Sequence, residues 1–494
     1  MVKNDFAMLN QLYLAYMRSH AVTTDSRAIT PGCIFFAFRG EHFDGNAFAP
    51  QALEQGAAYC VVDSRWKAES GKWKDDPRIV GVPDVLQTLQ QLAALHRSYM
   101  TIPVVGITGT NGKTTTKELV HAVLGKRYRT AATRGNHNNH LGVPLTLLAV
   151  PKDAEMAVVE MGANHPGEIA QLCAIADPDC GLITNVGRAH LEGFGSFEGV
   201  VRTKTELYRH LAGKHGLVFV NADDERLMDE AEKLATMPGT ESALPAYAPA
   251  SPIVSEEAID GTPLGIVAYG SSEDADVRGT LIVESGKMKV ESGLTQPGVP
   301  SSACSDSPFL RFYFEVGDSV YTVQTHLLGN YNFANCMAAV AVGLHFGVEP
   351  WDIKEAIEEY VPSNQRSEYK ESPRGNHLYL DCYNANPSSM AAAIASFGSM
   401  VGARKMAVVG GMKELGAESR KEHERLVNLL AEAGIERVLL VGHEFDGIGL
   451  PQGMTHVADT SEAAEAIRRM APEGYTILVK GSNGNRLWTL EEVL

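Results

Sequence analysis

Apolar positions follow two rhythms along the chain. Phe6, Leu9, Leu12, Tyr13, Tyr16 and Met17 recur at helical spacing and predict an amphipathic helix over 5–18. A turn at Pro31-Gly32 leads into a short apolar run, Ile34 to Phe38, that reads as a buried strand. A polar loop at 40–45, a helix over 46–56 and a second strand at 58–62 follow, and this small α/β unit closes near residue 84. A helix over 84–98 precedes an apolar strand at 104–107. Further apolar strands fall at 156–159 and 181–186, and a helix is predicted over 197–211. From about 240 to 326 the pattern turns to short β-prone segments. Within it, 284–308 is rich in Ser, Gly and Pro and reads as a flexible, exposed insertion. A helix rich in Ala, Val and Met opens near Asn332. Beyond Pro362, strands at 378–381, 405–409, 438–441 and 475–479 alternate with helices at 387–399, 419–433 and 461–470.

The 494 residues exceed one ordinary core, and at ~150 residues per domain they predict three. The divisions fall at 1–84, 85–362 and 363–494. The fold class is α/β: a small α/β domain, a central P-loop domain with a mostly parallel sheet, and a C-terminal Rossmann-like domain. The formal charge of −17 argues against a general nucleic-acid or anionic-membrane binder. Seven scattered cysteines without a Cys-x-x-Cys pair read as reduced core thiols of a cytoplasmic protein. The N-terminus lacks the apolar core of a signal peptide. No run approaches the ~18 apolar residues of a spanning helix.

Chemistry concentrates where the strand at 104–107 meets the following helix. The stretch Thr108-Gly109-Thr110-Asn111-Gly112-Lys113-Thr114-Thr115 has the layout of a nucleotide-phosphate cradle. Its glycines let backbone N–H groups close on phosphate, and the helix adds the positive end of its dipole. Lys113 would reach the β- and γ-phosphates and the Thr114 hydroxyl would join Mg²⁺. The strict pattern wants a glycine at Ile107; it stands at Gly109 instead. Glu160 ends an apolar strand, as an acid serving Mg²⁺ does, though an N-cap or ion-pair role fits the same pattern. His190 follows a third strand end, and Lys204 follows on the predicted helix. Asn332 and Asn335 share one helix face. Asp381 ends the first strand of the last domain, where an acid can bind ribose hydroxyls.

Together these motifs resemble the Mur ligase family along nearly the whole chain. The resemblance implies that Ser26, Arg27, Phe43, Asp44 and Gly45 belong to a UDP-sugar-binding domain, and that Asn138, Asn139 and His140 bind the same substrate. It implies that 108–115 holds ATP, with Asn332 and Asn335 at the adenine, Arg366 at the phosphates and Asp381 at the ribose. Glu160 would hold one Mg²⁺; His190, and Lys204 as a carbamate, would serve a second. Tyr383, Asn384 and Asn386 would face D-alanyl-D-alanine. The catalytic set is then Lys113, Glu160, His190, Lys204 and Arg366. The implied reaction is ATP-dependent addition of D-alanyl-D-alanine to UDP-N-acetylmuramoyl-tripeptide through an acyl phosphate, in peptidoglycan precursor synthesis. These small molecules are the expected partners of a monomeric, bacterial cytoplasmic enzyme that enters no membrane. Tyr383-Asn384-Ala385-Asn386-Pro387 stands where members adding the third peptide residue show Asp-Asn-Pro-Arg. One departure is Gly411, where family members usually carry aspartate.

Overall fold

The computed structural model describes residues 3–236, 264–282, 308–363, 366–400 and 404–494. The predicted flexible insertion at 284–308 lies, except for its last residue, outside the described residues. Three sheets organise the chain. The first joins Val22–Thr23, Ile34–Phe36, Tyr59–Asp63 and Ile79–Val82 in order, all parallel. Helix Lys3–Ser19 packs Leu9, Leu12 and Tyr16 against it, which accounts for the apolar stripe at the N-terminus.

The second sheet has nine strands among the described residues. Seven are parallel: Thr130–Ala132, Met156–Glu160, Val104–Thr108, Cys180–Ile183, Leu217–Asn221, Gly265–Gly270 and Val277–Leu281. Strands Val104–Thr108 and Met156–Glu160 are buried along their whole length, as their unbroken apolar runs require of strands covered on both faces. The described part of the β-prone stretch after 240, residues 264–282 and 308–326, extends this same sheet, which ends in the antiparallel pair Phe309–Val316 and Ser319–Leu328. The third sheet is parallel across His377–Asp381, Tyr475–Lys480, Arg404–Gly410, Arg437–Val441 and Met454–Val457, with Glu368–Glu371 antiparallel on its edge. Glu368–Glu371 is polar and Met454–Val457 only half-buried, so neither strand shows an apolar run in sequence.

Several predicted elements differ in detail: the strand expected over 34–38 ends at Phe36, and the helix expected over 46–56 divides into a 3-10 turn, Gly45–Phe48, and helix Ala49–Glu54. The helix over 197–211 is two helices, Phe197–Lys204 and Glu206–Ala212, broken at Thr205. The Thr205 hydroxyl donates back to the carbonyls of Val201 (2.9 Å) and Arg202 (3.2 Å), a contact that bends helices. The strand predicted over 181–186 leaves the sheet after Ile183, because Thr184 and Asn185 turn their side chains to the phosphate loop. Among the described residues, no helix is long and apolar enough to cross a membrane.

Helix Asn332–His345 is buried nearly all round and lies against helix Lys113–Gly125. Their contact depends on Gly343, where an added Cβ would lie 2.4 Å from Val123 Cγ1 and 3.0 Å from Ile353 Cδ1. Gly343→Val should therefore destabilise the protein by about 1–3 kcal/mol, the usual cost of overpacking a core. Urea unfolding measures this, and an unchanged midpoint would contradict the tight packing.

Candidate functional site

Strand Val104–Thr108 sits between Met156–Glu160 and Cys180–Ile183, so the chain reverses its direction of travel across the sheet there. Such a reversal opens a crevice beyond the strand's carboxyl end. The loop that follows is pinned on two sides. Gly109 has φ +143°, and an added Cβ would lie 2.0 Å from Thr184 Oγ1. Gly112, at φ +78°, would drive one to 2.6 Å from Asn335 Oδ1. Ile107, by contrast, is a fully buried strand residue, so the glycine belongs two positions later. The Thr110 N–H donates to Asn185 O (2.9 Å) and the Asn111 N–H to Asn185 Oδ1 (3.1 Å). Lys113 opens the next helix, its ammonium donating to the carbonyls of Gly109 (2.7 Å) and Thr110 (2.9 Å). Burial lowers its pKa to about 8.

A cavity of about 1150 Å³ opens over this loop. Thr110 to Thr115 line it, while Thr108 and Gly109 lie beneath and shape it. Glu160 reaches it from the neighbouring strand end, 1% exposed. Its Oε1 accepts from Asn138 Nδ2 (2.7 Å) and Thr114 Oγ1 (3.2 Å). Its Oε2 is buried without a partner. The Glu160 N–H donates to Thr133 Oγ1 (2.9 Å), and the buried Lys117 ammonium donates to Thr133 O (2.8 Å). A divalent cation fits here: the unpartnered carboxylate oxygen and the Thr114 hydroxyl are hard donors on one side of the cavity. No cluster of three His, Cys, Asp or Glu stands ready among the described residues.

His190 lines the cavity at φ +50° and its Nδ1 meets Glu414 Oε2 from the third sheet. Burial above all pushes the imidazole pKa down; Glu414 opposes this and the charges of Lys113 and Lys204 add to it. Lys204 is only 2% exposed, and its ammonium donates to Ala163 O (3.4 Å) behind the cavity wall. Burial, then the charge of Lys113, holds its pKa well below the ordinary lysine value.

The third sheet closes the other side of the cavity. The guanidinium of Arg366 lies over the Tyr383 ring, 3.6 Å from its centroid. Asp381 accepts from the buried Lys480 ammonium at its strand end. Asn384 lines the cavity, while Asn386 caps helix Pro387–Gly398 through Oδ1 and donates from Nδ2 to Asn111 Oδ1 (2.7 Å). Arg188 adds two more links between the halves, its N–H to Ser388 Oγ (2.7 Å) and its guanidinium to Glu422 Oε1 (3.0 Å). Asn332 and Asn335 line the cavity, with Asn335 also bonded to the Thr116 hydroxyl (3.0 Å).

Asn138, Asn139 and His140 line the cavity on its far side, where Gln90 Nε2 donates to His140 O (2.9 Å). Asn139 Oδ1 is already engaged in accepting from the N–H groups of Leu141 and Gly142 at the start of helix Gly142–Leu148. Ser26, Arg27, Phe43, Asp44 and Gly45 are not brought to this cavity. They lie on the first α/β unit, where Arg27 pairs with Asp25 (2.8 Å) and Phe43 is 61% exposed. Asp44 accepts from the Asn46 N–H (3.0 Å) and Arg39 (3.1 Å).

Sequence reading missed Asn185, Glu414, Lys480 and Ser388. Asn185 carried a signal, since it stands next to the end of the strand run 181–186; Lys480 likewise ends the apolar run beginning at Tyr475. Glu414 stands in a loop and Ser388 in the first turn of helix Pro387–Gly398, and the facing partner of each is distant in sequence.

Three family models match: the Mur ligase family catalytic domain over 18–97, the Mur ligase middle domain over 107–243, and the Mur ligase glutamate ligase domain over 365–483. The UDP-N-acetylmuramoyl-tripeptide–D-alanyl-D-alanine ligase of Bacillus subtilis (strain 168) is 31% identical, across 95% of this chain and 91% of its own. That of Escherichia coli (strain K12) is 32% identical, across 96% and 92%. Among solved structures, MurF from Acinetobacter baumannii superposes with a TM-score of 0.76 at 28% identity, covering 96% of this chain and 92% of that one. MurF ligase from Thermotoga maritima, in complex with ADP, gives a TM-score of 0.75 at 26% identity and 96% of each chain. With its three sheets, its pinned phosphate loop and relatives matched over almost their full length, this chain belongs to the Mur ligase family.

Proposed function

We propose that this protein joins D-alanyl-D-alanine to UDP-N-acetylmuramoyl-tripeptide in an ATP-dependent reaction of peptidoglycan precursor synthesis. The observation that carries the reading is one cavity bounded by the phosphate loop, by the half-partnered carboxylate of Glu160 and by Arg366 and Asp381 of the last sheet. The tripeptide carboxylate attacks the γ-phosphorus of ATP and ADP leaves. The dipeptide amine then attacks the acyl carbon, a proton is lost from nitrogen, and phosphate leaves.

Two anions must meet in line, so the protein's work is neutralising charge and holding geometry. Lys113 and Arg366 contact the phosphates, Asn332 and Asn335 the adenine, and Asp381 the ribose. Glu160 and Thr114 would hold Mg²⁺, which would neutralise charge on the transferring group, and His190 and a carbamylated Lys204 would serve a second ion. The first α/β unit takes the UDP-sugar through Ser26, Arg27, Phe43, Asp44 and Gly45, and Asn138, Asn139 and His140 take the peptide nearer the cavity. Tyr383, Asn384 and Asn386 lie on the dipeptide side. Domain limits at 84 and 362 follow from this division. The protein works as a monomer in the bacterial cytoplasm, where its UDP-linked substrate and ATP are found.

Phosphate release with UDP-muramoyl-tripeptide should require D-alanyl-D-alanine. Equal release with free amino acids, or release with folate plus glutamate, would assign the chain to another amide-forming activity.

Glu160→Gln keeps the size of the side chain and removes its charge. Turnover should fall at least ~10²-fold, the scale of losing one electrostatic contact to the transition state. Near-normal turnover at saturating Mg²⁺ would rule out the metal role.

Lys204 has what a carbamate requires, an amine whose burial favours the neutral form that adds carbon dioxide. The adduct is a carboxylate-like oxygen donor, and one proton is released. Lys204→Ala should be nearly inactive, and acetate at high concentration should restore part of the activity. A Lys204→Ala enzyme that keeps most of its activity would end this proposal.

A further inference from the structure

Loop 410–416 leaves strand Arg404–Gly410 and meets the cavity at Glu414. The structure holds it residue by residue. The Gly411 N–H donates to Val441 O (2.9 Å), and Gly411 O accepts from Ser482 Oγ (3.2 Å). The Met412 N–H donates to His423 Nε2 (2.9 Å). The Lys413 ammonium meets Glu444 Oε1, and Glu414, at φ +61°, meets His190.

Glu444 is the unusual member of this set. It follows strand Arg437–Val441, its side chain is 16% exposed, and its Oε2 is buried without a hydrogen-bond partner. Two glycines make its seat. A Cβ on Gly411 would lie 2.2 Å from Glu444 Oε2, and one on Gly442, at φ +124°, would lie 2.5 Å from the same atom. A side chain at either position would displace the carboxylate, so the glycine of the loop and the glycine of the adjacent strand end together leave the space it fills.

We propose that Glu444 is a positioning residue whose carboxylate fills the space left by Gly411 and Gly442, holding Lys413 and thereby setting Glu414 against His190 at the cavity. The geometry stands by itself; its meaning for catalysis rests on the ligase reading, which places His190 beside the reacting groups. Glu444 touches no substrate. It acts by keeping the loop in one arrangement.

The test exchanges the two positions. Glu444→Ala should lose about tenfold in kcat for amide formation while the KM for ATP stays within about twofold, because a misplaced group costs reaction geometry more than nucleotide affinity. Gly411→Asp in the otherwise unchanged chain crowds two carboxylates into one space and should fall further. The double variant Gly411→Asp/Glu444→Ala should recover most of the kcat, a non-additivity expected only of groups that share a site. Amide hydrogen exchange over 410–416 should rise in each single variant and return in the double. A double variant worse than both singles overturns the proposal, as does Glu444→Ala with unchanged kcat and exchange. If the unsubstituted enzyme forms no amide, the ligase reading fails and the exchange pattern alone decides the role of Glu444. If Glu444→Ala does not fold, the double variant decides: folded with a protected loop supports the exchange, unfolded overturns it.

Discussion

Glu160 is held in the protein interior with one carboxylate oxygen unpartnered, and much of the surrounding structure serves to keep it there. An isolated buried charge costs several kcal/mol unless something compensates it. Compensation here is partial: Asn138 and Thr114 engage only Oε1. The backbone of Glu160 is fixed through Thr133, and Thr133 in turn through the buried Lys117. Lys113, close enough to feel Glu160, is half-buried and its ammonium donates to carbonyls of its own loop. Charges of both signs are thus held short of full pairing.

That arrangement requires the phosphate loop not to collapse onto either charge. Gly109 against Thr184 and Gly112 against Asn335 prevent it, by bringing backbone closer to neighbouring side chains than any other residue allows. Asn111 extends the constraint outward. Its carbonyl accepts from Thr184 Oγ1 (2.6 Å) and Asn185 Nδ2 (3.0 Å), while its side chain reaches Asn386 in the third sheet. The link from central sheet to last sheet therefore begins at the phosphate loop, and whatever orders the loop also sets the last sheet over it. Arg188 and the His190–Glu414 contact run alongside this link.

Chain sequence by itself determined the sheets and the cradle. Unbroken apolar runs at 104–107, 156–159 and 438–441 are legible because strands buried on both faces tolerate little else. Gly-Lys-Thr at a strand–helix junction is legible because phosphate binding needs flexible backbone, a cation and a hydroxyl in fixed order. The edge strands Glu368–Glu371 and Met454–Val457 are half-exposed and carry no such signature. The break at Thr205 was hidden as well, since it depends on one hydroxyl choosing a backbone carbonyl over solvent. Tertiary structure alone decided which charges meet. His190 with Glu414 and Asn111 with Asn386 are far apart in sequence and depend on how two sheets sit together, while Gly411 with Glu444 depends on two strands pairing within one sheet. Local periodicity records which face of an element is buried. It holds no record of the partner that buries it, because that partner is set by packing between elements and by the exclusion volume of single side chains.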